Sequence, residues 1–146
     1  MEPTTLKQIN RDIAYYTVNW SRLSEVNKFD ILNKVPSVSG IYELYFRDSH
    51  KKLVLFYLAR VWYGGLRGSI RETTDPLLVD DAGRKKILQE NTCFYRYSMV
   101  SSTLDMEDIL HYFASLKLAP SVVPGHSGRY KDIFLMENSE DTIVTI

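Results

Sequence analysis

The first part of the chain places apolar residues at loosely helical intervals. Ile9, Ile13 and Tyr16 are separated by four and three residues, which is the spacing of one face of an α-helix. This pattern predicts a helix over residues 6–22. A second, shorter helix is expected over residues 25–33, because the proline at position 36 blocks continuation.

Two apolar segments, residues 39–46 and 53–59, predict a β-hairpin. The first is rich in tyrosine and β-branched residues with partial alternation, which is typical of a strand. The second is a nearly continuous apolar run, which indicates a central strand. Residues 47–52 between them are polar and form the expected turn.

The remaining pattern alternates between helix and strand. Helices are expected over residues 66–72, 81–90 and 104–117, a strand over 93–100, and a C-terminal hairpin with strands 133–136 and 143–146. This order predicts an α+β fold with a small central antiparallel or mixed β-sheet flanked by helices. We expect one domain over residues 1–146, in which residues 1–37 form an N-terminal helical extension.

Composition sets limits on the function. Of 146 residues, 45% are hydrophobic and 25% are charged, as in ordinary globular domains. Eighteen basic residues balance 18 acidic ones, so any phosphate site must be a local basic patch. The single cysteine, Cys93, favours a reducing compartment. We find no secretion signal and no apolar run of about 20 residues, so we expect a cytoplasmic protein without a membrane anchor.

The residues that can carry chemistry concentrate between positions 40 and 72. Gly40-Ile41-Tyr42 opens the first strand of the hairpin, Tyr57-Leu58-Ala59 closes the second, and Arg67 follows Tyr57 by ten residues. This combination resembles the GIY-YIG endonuclease superfamily. That family has a GIY strand, a YIG strand, an arginine about ten residues further on, and a metal-binding glutamate on a later helix. The resemblance covers roughly residues 38–123 and leaves residues 124–146 as a C-terminal loop and hairpin.

The resemblance implies a metal-dependent endonuclease that hydrolyses DNA phosphodiester bonds. Tyr42, Tyr57 and Arg67 are then the catalytic residues: Tyr42 acts as general base if its pKa is lowered, Tyr57 orients water or phosphate, and Arg67 clamps phosphate oxygens. Glu107 is the expected ligand of one Mg²⁺ or Mn²⁺ ion, which would polarise the phosphate. Asp108 is the alternative ligand. These side chains are expected to converge on one cleft.

Four further residues are expected to hold the DNA substrate. Arg71 lies one helical turn after Arg67 and extends the phosphate grip. Gly64 and Gly65 can cradle a phosphate through backbone N–H groups where a helix starts. Arg60 belongs to the same expected set.

Several departures from the family pattern favour a second hypothesis. Ala59 replaces the glycine of the YIG strand, residues 62–65 read Trp-Tyr-Gly-Gly instead of a basic segment, and residues 118–122 lack the late asparagine. Under this alternative the chain is a catalytically inactive GIY-YIG-like domain that binds nucleic acid or protein. Its ten tyrosines can stack on unpaired bases, and a homodimer or a protein partner can complete the binding surface. An unrelated fold is the third alternative, which holds if the two motif strands are not adjacent.

Overall fold

The computed structural model describes residues 2–117 and 125–141, apart from the Ala114 side chain. Within these ranges the fold is α+β, as expected. In chain order the elements are β1 (Thr5–Asn10), β2 (Ile13–Asn19), β3 (Ser24–Glu25), α1 (Lys28–Lys34), β4 (Gly40–Arg47), β5 (Leu53–Val61), α2 (Gly65–Thr73), α3 (Ala82–Glu90), β6 (Cys93–Met99), α4 (Thr103–Leu116) and β7 (Asp132–Asn138). No helix in this part of the chain is long and apolar enough to cross a membrane.

The predicted N-terminal helix over residues 6–22 is wrong, because this segment forms the antiparallel hairpin β1–β2. Ala14, Tyr16 and Val18 are buried, whereas the residues between them are less so. This period of two is the signature of a strand with one covered face. Aromatic and β-branched side chains also pack better on a pleated sheet than on a helix.

The predicted helices from residue 66 onwards are confirmed to within a few residues, as is the strand at 93–100. The short helix expected over residues 25–33 begins later, as α1, because Asn27 caps it by accepting hydrogen bonds from the first-turn N–H groups. Asp81 and Ser102 cap α3 and α4 in the same way. Such side chains satisfy N–H groups that have no partner inside the helix.

A four-stranded antiparallel sheet of order β3-β6-β4-β5 carries the motif strands. β4 and β5 form the expected hairpin, in which Tyr42 pairs with Ala59. Ala59 is not among the described non-glycine residues with positive φ, so alanine is compatible with the backbone there. The prediction that β5 is a central strand is wrong, because β5 lies at the sheet edge. Its continuous apolar run instead reflects two covered faces, with Leu58 packed in one core and Val61 in the other.

A three-stranded sheet of order β1-β2-β7 forms a further layer. β7 confirms the first strand of the expected C-terminal hairpin and runs parallel to β2. The second expected strand, residues 143–146, lies outside the described residues, as does the segment 118–122 that lacks the late asparagine.

Two hydrophobic cores cover the two faces of the four-stranded sheet. The first joins α4 to the three-stranded sheet and includes Ile41, Leu58 and Phe113. The second joins α1 and α2 to the opposite face and includes Tyr42 and Leu66. The N-terminal segment therefore contributes to the first core through β2 and is not a helical extension of it.

Candidate functional site

The two motif tyrosines lie together on the face of the four-stranded sheet that α2 covers. The ring centroids of Tyr42 and Tyr57 are 6.0 Å apart. The Tyr42 hydroxyl shares hydrogen bonds with Ser69 Oγ at 2.8 Å and with Thr73 Oγ1 at 3.0 Å, both on α2. The structure thus brings the two tyrosines next to the helix that carries Arg67.

The environment of Tyr42 does not suit a general base. Its side chain is fully buried, and burial together with the neighbouring Tyr57 raises the pKa of its hydroxyl well above the ordinary value of 10.0. A general base needs a pKa near the operating pH. Tyr42 therefore keeps its proton at neutral pH and anchors α2 to β4.

The two arginines on α2 are held by neighbouring groups of the protein. Arg67 Nε donates to the Val35 carbonyl at 2.7 Å, which ties α2 to the end of α1. Arg71 Nη1 pairs with Asp75 Oδ2 at 2.8 Å. Arg67 therefore joins two helices, and Arg71 shares its charge with Asp75.

The paired glycines form a tight turn between β5 and α2. Gly64 and Gly65 both have positive φ, at 79° and 70°, a conformation that glycine adopts without a steric penalty. The N–H groups of Leu66 and Arg67 already donate to carbonyls of residues 36–38, at 2.8 and 3.2 Å. These two donors are therefore not free to cradle a phosphate.

Glu107 lies on the opposite face of the four-stranded sheet from the tyrosines, so the expected convergence on one cleft is wrong. Its Oε1 accepts a hydrogen bond from Arg60 Nη1 at 3.0 Å. Successive side chains of a strand point to opposite faces, so Arg60 points to the α4 side while Ala59 points to the α2 side. The sheet itself separates Glu107 from Tyr42.

Asp108, the alternative ligand, is a buried residue of α4 that is hydrogen-bonded to residues 127–129. Its carboxylate accepts hydrogen bonds from the Ser127 N–H and hydroxyl, at 2.7 and 2.8 Å, and from Arg129 Nη2 at 2.9 Å. Among the described residues, no group of three or more His, Cys, Asp or Glu side chains can hold a metal ion. Glu107 and Asp108, the carboxylates expected to bind Mg²⁺ or Mn²⁺, each form an ion pair with an arginine, Arg60 and Arg129 respectively.

The loop between β5 and α2 exposes two aromatic side chains. Trp62 is 45% exposed and Tyr63 is 89% exposed. With Arg60, Thr103 and Met106 they line an open surface cavity of about 410 Å³. The sequence pattern showed these residues only as a departure from a basic segment. The available signal was a pair of aromatic residues placed after a strand and directly before a glycine pair.

Family membership extends over almost the whole chain. A family model described as "Uncharacterised protein" matches residues 4–146. The chain belongs to this family. No curated protein and no solved structure matches the chain. The matched range includes the β1–β2 hairpin and β7, so both sheets belong to the family unit.

Proposed function

We propose that this chain is a catalytically inactive domain, organised like the GIY-YIG endonucleases, that binds single-stranded nucleic acid at the loop between β5 and α2. The exposure of Trp62 and Tyr63 beside Arg60 carries the proposal. Stacking of a base on an aromatic side chain contributes about 1–3 kcal/mol and tolerates any sequence. Two exposed rings and a guanidinium supply stacking and a phosphate contact in one place.

The order of the elements supports the likeness to the GIY-YIG endonucleases. The motif strands β4 and β5 are adjacent, and the helix after β5 carries Arg67 at the family's spacing. β6 then pairs with β4 and precedes α4. The cytoplasmic location expected from the single cysteine remains part of this proposal.

Three features support the absence of catalysis. Tyr42 is buried and protonated. Glu107 and Asp108 form ion pairs with Arg60 and Arg129. The four-stranded sheet also separates Glu107 from Tyr42, so these two side chains lie on opposite faces of it.

The neutral net charge fits a small site with few phosphate contacts. Arg60 is the cation at the exposed aromatic loop, and it shares its charge with Glu107. Each phosphate contact on a single strand contributes a slope of about −0.7 in log affinity against log salt. One or two contacts therefore predict that a tenfold rise in salt weakens binding about 5- to 25-fold.

Oligonucleotide binding tests the proposal. Fluorescence anisotropy is measured with labelled 12-nucleotide oligothymidylate and oligouridylate. Tyr63→Ala is expected to weaken binding about 5- to 150-fold, which is the loss of one stacking contact. Phe29→Ala removes another exposed ring, 64% accessible on α1, and is expected to leave the affinity unchanged. Absence of binding by the wild type, or equal losses in both variants, contradicts the proposal.

Plasmid nicking with Mg²⁺ or Mn²⁺ tests the endonuclease that the resemblance implies. We expect no metal-dependent cleavage from the wild type. Glu107→Gln removes the carboxylate that competes for Arg60, so it is expected to strengthen oligonucleotide binding. Cleavage that disappears in both Arg67→Ala and Glu107→Gln would instead establish the endonuclease.

A further inference from the structure

Two of the chain's three histidines lie side by side on the surface of the molecule. His111 is part of α4, whereas His126 belongs to the segment that leads to β7. Their ring centroids are 5.0 Å apart, and the ring planes meet at 64°. Both residues are exposed, so an ion from solution can reach the rings.

Hydrogen bonds that involve neither ring hold the two histidines in place. Asp108 lies three residues before His111 on α4, so both side chains are on the same side of the helix. The Asp108 carboxylate accepts hydrogen bonds from the Ser127 N–H at 2.7 Å, from the Ser127 hydroxyl at 2.8 Å and from Arg129 Nη2 at 2.9 Å. Because Ser127 directly follows His126, these bonds fix the position of His126 against α4. Such support by neighbouring residues preorganises a binding site.

The spacing of the rings matches two imidazoles that share one metal ion. A zinc–nitrogen bond of about 2.0–2.1 Å puts the ion about 3.2 Å from each ring centroid. With a tetrahedral angle between the two bonds, the centroids are then about 5.2 Å apart. The observed distance of 5.0 Å agrees with this value. The two side chains are therefore already at the separation that such an ion requires.

The hydrogen bond of His126 gives a specific sign of an ion at its ring. His126 Nδ1 accepts from the Gly128 N–H at 3.0 Å. A metal ion at Nδ1 replaces the Gly128 N–H, and an ion at Nε2 moves the proton of the neutral ring to Nδ1. The hydrogen bond to Gly128 is lost in both cases, so the Gly128 amide reports metal binding at His126.

The charges around the two rings are balanced. The histidines line a surface cavity of about 360 Å³, whose charged lining residues are Asp108, Lys131 and Asp132. Arg129 forms an ion pair with Asp108, and the charge of Asp132 offsets that of Lys131. The cavity therefore carries no excess of positive charge that would repel a cation.

We propose that His111 and His126 form a binding site for one divalent transition-metal ion of the class of Zn²⁺, which ties α4 to the segment before β7. Imidazole suits Zn²⁺, Cu²⁺ and Ni²⁺, whereas Mg²⁺ takes oxygen ligands. Since the described residues hold no group of three or more metal-ligating side chains, water molecules fill the remaining positions around the ion. The site is separate from the proposed nucleic-acid site, because neither histidine lines the cavity at Trp62.

Isothermal titration calorimetry with zinc chloride, on the chain without an affinity tag, tests the proposal. The wild type is expected to bind one Zn²⁺ ion per chain and to saturate below about 1 mM. His111→Gln and His126→Gln each remove one of the two ligands and are expected to weaken binding at least about tenfold. His50→Gln removes the remaining histidine, between β4 and β5, and is expected to leave the affinity unchanged. Mg²⁺ is not expected to compete.

Nuclear magnetic resonance locates the ion and checks the fold of each variant. Zn²⁺ is expected to shift the Gly128 amide signal and the ring signals of His111 and His126, but not those of His50. All three histidines are exposed, so the metal-free variants should keep the wild-type amide spectrum away from the substitution. Absence of saturable binding by the wild type overturns the proposal. It is also overturned by unchanged affinity in His111→Gln or His126→Gln, or by an equal loss in His50→Gln.

Discussion

At the scale of single residues, close packing accounts for Gly40 and Tyr42 of the GIY motif. A Cβ on Gly40 would lie 2.4 Å from the Ser98 carbonyl oxygen and 2.8 Å from a Leu66 methyl group. Glycine therefore lets β4, β6 and α2 approach closely. Tyr42 fills the core and bonds α2 through its hydroxyl. The motif was visible in the sequence, but its spacing alone could not distinguish packing from catalysis.

The glycine pair between β5 and α2 gives a prediction at the same scale. Alanine at a positive φ costs about 1–2 kcal/mol. A Cβ on Gly65 would also lie 2.6 Å from the Ser37 backbone, whereas one on Gly64 meets nothing within 4 Å. We expect Gly64→Ala to lower the free energy of unfolding by about 1–2 kcal/mol, and Gly65→Ala by about 2–5 kcal/mol because overpacking adds to the strain.

Urea unfolding followed by circular dichroism measures both glycine variants. Each serves as the control for the other, since their φ values differ by only 9°, from 79° to 70°. Equal losses of stability would show that the backbone near Ser37 shifts to accommodate the alanine without a further loss of folding free energy.

At the scale of elements, local signals predicted the segments between residues 40 and 117. Side-chain caps at Asp81 and Ser102 and the glycines before α2 are readable from the sequence. The β1–β2 hairpin was not predicted, because β2 is stabilised by the distant β7, where Ile13 pairs with Asp132. The ion pair between Arg60 and Glu107 is equally non-local. Sequence spacing therefore gave the elements of the candidate site but not the face on which each residue lies.

A buried ionic cluster ties several elements together. Glu43 on β4 accepts a hydrogen bond from Arg96 on β6 at 2.7 Å and another from Lys117, which follows α4. Lys117 also pairs with Glu137 on β7 at 2.8 Å. Burial alone would raise the pKa of Glu43, but Lys117 and Arg96 outweigh it and hold the pKa below the ordinary 4.5.

This cluster predicts acid sensitivity of the fold. A carboxylate whose pKa is lowered by folding stabilises the protein above its unfolded pKa, and that stability is lost as the pH falls through the folded pKa. We expect the free energy of unfolding to fall as the pH drops below about 4.5. Glu43→Gln leaves Arg96 and Lys117 without their buried partner, so it is expected to cost about 3–5 kcal/mol at neutral pH.

Urea unfolding between about pH 3 and pH 7 measures this dependence. Glu43→Gln should show a shallower loss of stability in acid than the wild type. Glu90→Gln, at the exposed end of α3, is the matched control and should keep the wild-type slope. The same slope in all three proteins would exclude Glu43 as a source of acid sensitivity.

At the scale of the whole molecule, the chain has a net charge of zero and its described strands form two sheets. The neutral charge limits the proposed nucleic-acid site to a local arrangement around Arg60.

Tryptophan fluorescence tests the central claim, which is binding of single-stranded nucleic acid at this loop. The chain has two tryptophans, of which Trp20 is 1% exposed and Trp62 is 45% exposed. Titration with unlabelled oligothymidylate is expected to quench part of the emission, because a base stacks on Trp62. Trp62→Phe should keep the Trp20 emission and lose the quenching. No quenching of the wild type, or the same quenching in Trp62→Phe, would contradict the claim.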